Sequence, residues 1–171
     1  MLRSPYPAAL IIAFVVACSL APHAVAQDDA PPVRPYLSLE SARAGAEACL
    51  NYAKDNDLRI AIAILDRGGR DVLSLRMDDV FQKQIEFASI KAETASTTPL
   101  STKRLGEVSG VGTPLEGLVQ VPGLNRVEGG EPIKLPNGYA IGGVGVSGAS
   151  PAQDGECARA AVATIAAFFE E

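Results

Sequence analysis

Among 171 residues the chain has one histidine, no tryptophan, two methionines and three cysteines. The histidine is His23, inside an N-terminal stretch that reads as a removable leader. The rest of the chain therefore lacks the commonest general base and metal ligand. His-based catalytic triads, HExxH zinc sites and His-ligated haem are excluded. No Cys-x-x-Cys-His occurs, which excludes covalent c-type haem attachment. Ser89 and Thr94 have no base of the usual types nearby, so nucleophilic catalysis has no support. Basic side chains are outnumbered, 15 against 20 acidic, which argues against a nucleic-acid face.

What is present begins with the leader. MLRSPYP carries one positive charge, residues 8–20 form an apolar run, and Ala24-Val25-Ala26 precedes Gln27. That is the layout of a secretory signal peptide cleaved near Ala26. The run falls short of the about 20 residues a membrane span needs. We therefore expect a soluble periplasmic or secreted protein. Val15-Val16-Ala17-Cys18 loosely matches the bacterial lipidation pattern, so a lipoprotein anchored at Cys18 is the alternative. Residues 27–36 are acidic and proline-rich and predict a flexible lead-in. Residues 37–171 predict one domain.

Within that domain Ser38 caps a helix over about Leu39–Lys54, whose stripe is Leu39, Ala42, Ala46, Cys49, Leu50 and Ala53. Ile60–Asp66 and DVLSLRM, joined by Arg67-Gly68-Gly69-Arg70, predict a β-hairpin. A second helix runs from Val80 to Thr97 with Asp78 or Asp79 as cap. A long glycine-rich loop with short helical pieces follows. LNRVEGGEPIKL then turns at Asn137-Gly138 into YAIGGVGVSG. Ser150, Pro151 and Gln153 open the last helix as a capping box with Pro at its first position. Hairpin-linked strands with flanking helices make an α+β domain with an antiparallel sheet of about five strands.

GVGVSG, Gly143 to Gly148, has the G-x-G-x-x-G spacing of dinucleotide-binding folds. That fingerprint needs a second parallel strand with an acidic residue about 20 positions on. Here one helix follows, with Glu170 and Glu171 at its end, so neither NAD nor FAD is expected. The glycines instead predict bare backbone for close packing and a strand-to-helix corner. The helix N-terminus beyond them, with Ser147 beside it, is a candidate anion site.

Several separated motifs resemble the GlcG/HbpS family of haem-binding or "haem-degrading" domains. They are Gly129-Gly130-x-Pro132-Ile133, Ile141-Gly142, Gly145-Val146-Ser147-Gly148-Ala149 and Gln153-Asp154. LDRGGRDVLSLRMDD and SIKAETAS extend the likeness over about Leu37 to Phe169. The resemblance implies a profilin-like fold, homo-oligomers and a haem-like tetrapyrrole as candidate ligand. With no His available, Met77, Cys49, Cys157, Tyr36, Tyr52 and Tyr139 are the alternative axial ligands, Met77 reading first as a packing residue. Arg76 or Lys91 would pair with propionates.

Arg76, Asp78 and Lys91 are expected to converge where the hairpin meets the second helix, either as an anion pocket or as a structural salt bridge. Glu128 and Glu131 form an E-x-x-E pair reminiscent of acidic iron-binding pairs in that family, or else a solvated turn. Cys49 and Cys157 read as two buried thiols or, in an exported protein, as a disulfide between the first and last helices. The leading expectation is a homo-oligomeric, non-catalytic binding protein. The rivals are an enzyme for a small organic acid or tetrapyrrole, and an accessory subunit of a periplasmic assembly.

Overall fold

The structure, a computed structural model, describes residues 34–170. The leader with Cys18 and Ala26, and most of the proline-rich lead-in, lie outside the described residues. Ser38 caps α1 (Leu39–Asp55) by accepting from the Ser41 amide at 3.1 Å. β1 (Ala61–Asp66) and β2 (Asp71–Arg76) follow. Their turn is closed by Asp66, whose Oδ1 accepts from the Gly68 and Arg70 amides at 2.8 and 2.9 Å. Next come α2 (Gln82–Thr97), α3 (Thr102–Val108) and a 3-10 turn at Glu116–Gln120. β3 (Gly130–Lys134), β4 (Ala140–Ser147) and α4 (Pro151–Ala166) complete the order. α4 opens with the expected Ser150–Gln153 capping box.

The strands form one antiparallel sheet in the order β2-β1-β4-β3. The alternation of β1 splits the core in two. Ile60, Ile62 and Ile64 join Val144, Val146 and Ile133 against buried residues of α1 and α4. Ala61, Ala63 and Leu65 face Ala88 and Ala92 of α2. Each fully buried aliphatic side chain on the first face contributes about 1.5–3 kcal/mol. On the second face the helix backbone itself comes close. A Cβ on Gly145 would lie 2.0 Å from Ala88 O, and one on Gly143 would lie 2.5 Å from Ala92 O. The glycine motif thus lets α2 lie directly on the sheet.

The strand count is four rather than five. Within Leu124–Val127, two backbone donors go to side chains instead of a strand: Asn125 N–H to Thr94 Oγ1 and Val127 N–H to Asn125 Oδ1. No ladder forms there, and Pro132 sits in β3 at the sheet edge, where proline is tolerated. α2 also starts later than expected. Asp79 takes φ 63° and caps nothing; Phe81 is the N-cap, without a side-chain bond. The Val80 carbonyl is taken by the Arg76 guanidinium instead. In α1, Leu39 is 46% exposed and stands outside the buried stripe.

Cys49 and Cys157 form a disulfide between α1 and α4, with Cα atoms 4.6 Å apart and both residues fully buried. Gly45 meets Ile165 while Cys49 meets Cys157, so the two helices run in opposite directions. Closing so long a loop stabilises by about 4–5 kcal/mol in the chain-entropy model.

Candidate functional site

Lys91 does not join Arg76 and Asp78. Its position on the buried face of α2 carries the ammonium under β4, where it donates to Val146 O at 2.8 Å and Asp154 Oδ2 at 2.9 Å. Lys91 and Asp154 are 3% and 2% exposed, so the pair is structural. Asp154 Oδ1 accepts from the Ala149 amide at 3.1 Å, holding the corner into α4. Burial pushes the Asp154 carboxyl above its ordinary value, opposed by the Lys91 bond and charge. Gly129 makes room: a Cβ there would sit 2.6 Å from Lys91 Nζ. The N-terminus of α4 itself is capped by Ser150 and Gln153. Ser147 turns away from it, its hydroxyl donating to Gln84 Oε1 at 2.6 Å.

The E-x-x-E pair is neither a solvated turn nor an open chelate. Arg159 Nη1 lies 3.2 Å from Glu128 and 3.0 Å from Glu131, and Nη2 lies 3.0 Å from Glu156. Lys103 reaches Glu128 at 3.3 Å. The Glu128 and Glu131 side chains are 13% and 15% exposed. Burial raises the Glu131 carboxyl against the pull of Arg159. The Arg159 bond lowers exposed Glu156, and that bond in turn raises Arg159. Among the described residues no group of three His, Cys, Asp or Glu is placed to hold a metal.

Arg76, Met77 and Asp78 do share a cleft of about 570 Å³, with Leu50, Lys54, Arg59 and Asp79. Hairpin register explains the grouping. Arg76 is opposite Ala61, so the end of β2 lies beside the residues entering β1 and leaving α1. That register is readable from the Arg67–Arg70 turn and would have added Arg59 to the expected set. Met77 packs against both halves of the core and lines the cleft. Among the described residues, no carboxylate lies within 4 Å of the Lys54, Arg59 or Arg76 cations. Three cations without an ion-pair partner and two carboxylates, Asp78 and Asp79, line this concavity of ligand size, an excess of one positive charge that suits an anion with an apolar body.

The remaining ligand candidates fall elsewhere. The disulfide removes Cys49 and Cys157 as thiolates. Tyr52 packs against the core between the sheet and α1–α4. Tyr36 and Tyr139 line a cleft at the other end of the sheet.

The fold is the profilin-like α+β class. The chain belongs to the family described as haem degrading protein HbpS-like, whose model matches residues 37–163. It is 36% identical to the protein GlcG of Escherichia coli K12 over 111 residues, 65% of this chain and 81% of that one. It is 31% identical to the corrinoid adenosyltransferase PduO of Salmonella typhimurium over 130 residues, 75% of this chain but 39% of that protein. A crystal structure of HbpS aligns with TM-score 0.70 and 30% identity, covering 77% of this chain and 92% of that one. A PduOC:heme complex aligns with TM-score 0.69 and 29% identity, covering 76% and 95%.

Proposed function

We propose that this is an exported, homo-oligomeric binding protein whose ligand is haem or a related tetrapyrrole, without catalysis of its own. The cleft around Arg76 carries the reading. Its donor set fits an anionic tetrapyrrole: Lys54, Arg59 and Arg76 for the carboxylates, Leu50 for the ring and Met77 as a thioether for iron. When bound, haem would supply an iron centre; the protein's part is to hold its acid groups and cover one face. A heme complex among the structural relatives supports the ligand class.

Export rests on the leader and is supported by the disulfide, a bond of oxidising compartments. Oligomer formation is supported by aromatic side chains left in water on α2 and at its cap: Phe81 is 81% and Phe87 41% exposed. Native mass spectrometry of protein recovered from the periplasm and loaded with haem tests the three parts together. The expected species is a multimer of chains beginning at Gln27, each oxidised and carrying a tetrapyrrole mass. A chain retaining residues 1–26, a monomer, or no retained tetrapyrrole would each overturn the corresponding part.

A further inference from the structure

The end of the sheet opposite Arg76 holds a second constellation. Arg67, on the β1–β2 turn, lies with its guanidinium carbon 4.5 Å from the Tyr139 ring centroid and donates to the Tyr139 hydroxyl. Both side chains stand on fixed turns. Asp66 Oδ1 takes two amides of the first turn, and Asn137 Oδ1 takes the Tyr139 amide at 2.9 Å in the second. Asp66 Oδ1 is thus committed to backbone while its carboxylate lines the adjoining cleft, and among the described residues no carboxylate oxygen comes within 4 Å of the Arg67 cation.

Beside this pair opens a cleft of about 240 Å³. Leu37 and Ile141, both buried, form its apolar lining, and Tyr36, 76% exposed, stands at its edge. The elements are an oriented guanidinium without an ion-pair partner within 4 Å, the Asp66 carboxylate with its Oδ1 held by the turn, two tyrosine rings and an apolar floor. A guanidinium fork takes a carboxylate in two parallel bonds, and tyrosine faces take an aromatic ring. The volume lies below the range of about 300–1,000 Å³ for drug-sized ligands, so it admits one ring and not a tetrapyrrole.

We propose that this cleft is a second ligand site, for a monocyclic aromatic carboxylate, with the carboxylate on Arg67 and the ring beside Tyr36 and Tyr139. It is independent of the Arg76 cleft. Equilibrium dialysis of the mature protein against radiolabelled benzoate tests it, with unlabelled benzyl alcohol and acetate as competitors. The expected result is saturable binding with a dissociation constant of about 1 mM or tighter. Each competitor should be at least about tenfold weaker than benzoate, because it carries half of the recognised chemistry. Arg67→Met should weaken binding at least about tenfold, and Arg67→Lys should fall between, keeping charge without the fork. Haem titration of Arg67→Met reports whether that variant is folded and whether the Arg76 cleft is intact, so failure of one site is distinguishable from failure of the other. Unsaturable binding, equal competition by acetate, or undiminished binding by folded Arg67→Met would overturn the proposal.

Discussion

Two regions of this domain hold their positive charges in opposite ways. Where α4 meets the sheet, Lys91 is matched by Asp154, Arg159 by three glutamates and Lys103 by Glu128. At the α1–β1–β2 junction Lys54, Arg59 and Arg76 surround a cleft without such partners. Matched charges have their hydrogen bonds satisfied within the fold and act on its shape. Cations without an ion-pair partner keep donors beyond those that Arg76 and Arg59 spend on the Val80 and Leu58 carbonyls. On the proposed reading, the matched cations serve the fold and those of the Arg76 cleft serve recognition.

The largest break in that contrast should come from Lys91→Met, which leaves Asp154 buried without its cation. We expect a loss of about 3–5 kcal/mol in urea unfolding. A double variant, Lys91→Met with Asp154→Leu, should lose less than the two single changes summed, since the orphaned charge is gone. Arg59→Gln with Arg76→Gln is the mirror experiment. Haem affinity should fall about 10–100-fold while stability changes by less than about 1 kcal/mol, because those side chains are exposed. Equal losses of stability in the two experiments would erase the distinction between the regions.

Arg159→Gln should cost about 1 kcal/mol or less, since the side chain is 39% exposed and its ion pairs are screened. The smallest effect is a pH dependence at Glu131. Its carboxyl is raised by burial above the ordinary 4.5, so the folded state holds the proton more tightly than the unfolded chain. Stability from this group is complete below that value and is lost as pH rises through the folded value. Wild type should therefore exceed Glu131→Gln by more at pH about 4 than at pH about 7, measured by urea unfolding at both. A difference that grows with pH would reverse the assignment.

What was legible in the sequence was local. Ser38 and Ser150 announce their helices, Asp66 to Asp71 announces a hairpin, and the glycines of β4 announce close packing. The separated family motifs added the sheet class. What was not legible depends on distant pairing. Lys91 and Asp154 are 63 positions apart, and nothing near Lys91 distinguishes a buried partner from Asp78. Glu128 and Glu131 looked solvated because the side chain that covers them, Arg159, comes from the last helix. Leu124–Val127 had apolar residues suited to a strand, yet Thr94 on α2 captured one of its amides. Cys49 and Cys157 were the exception: an even count and two helices offered the bridge as one of two readings, and the structure forms it.

The most direct test of the central claim is a Soret-band haem titration of three mature proteins: wild type, Arg59→Gln/Arg76→Gln and Arg159→Gln. Wild type and Arg159→Gln should saturate with the same affinity, and the double variant should be at least about tenfold weaker. Equal affinity in all three, or loss confined to Arg159→Gln, would contradict the assignment of recognition to the unmatched cations.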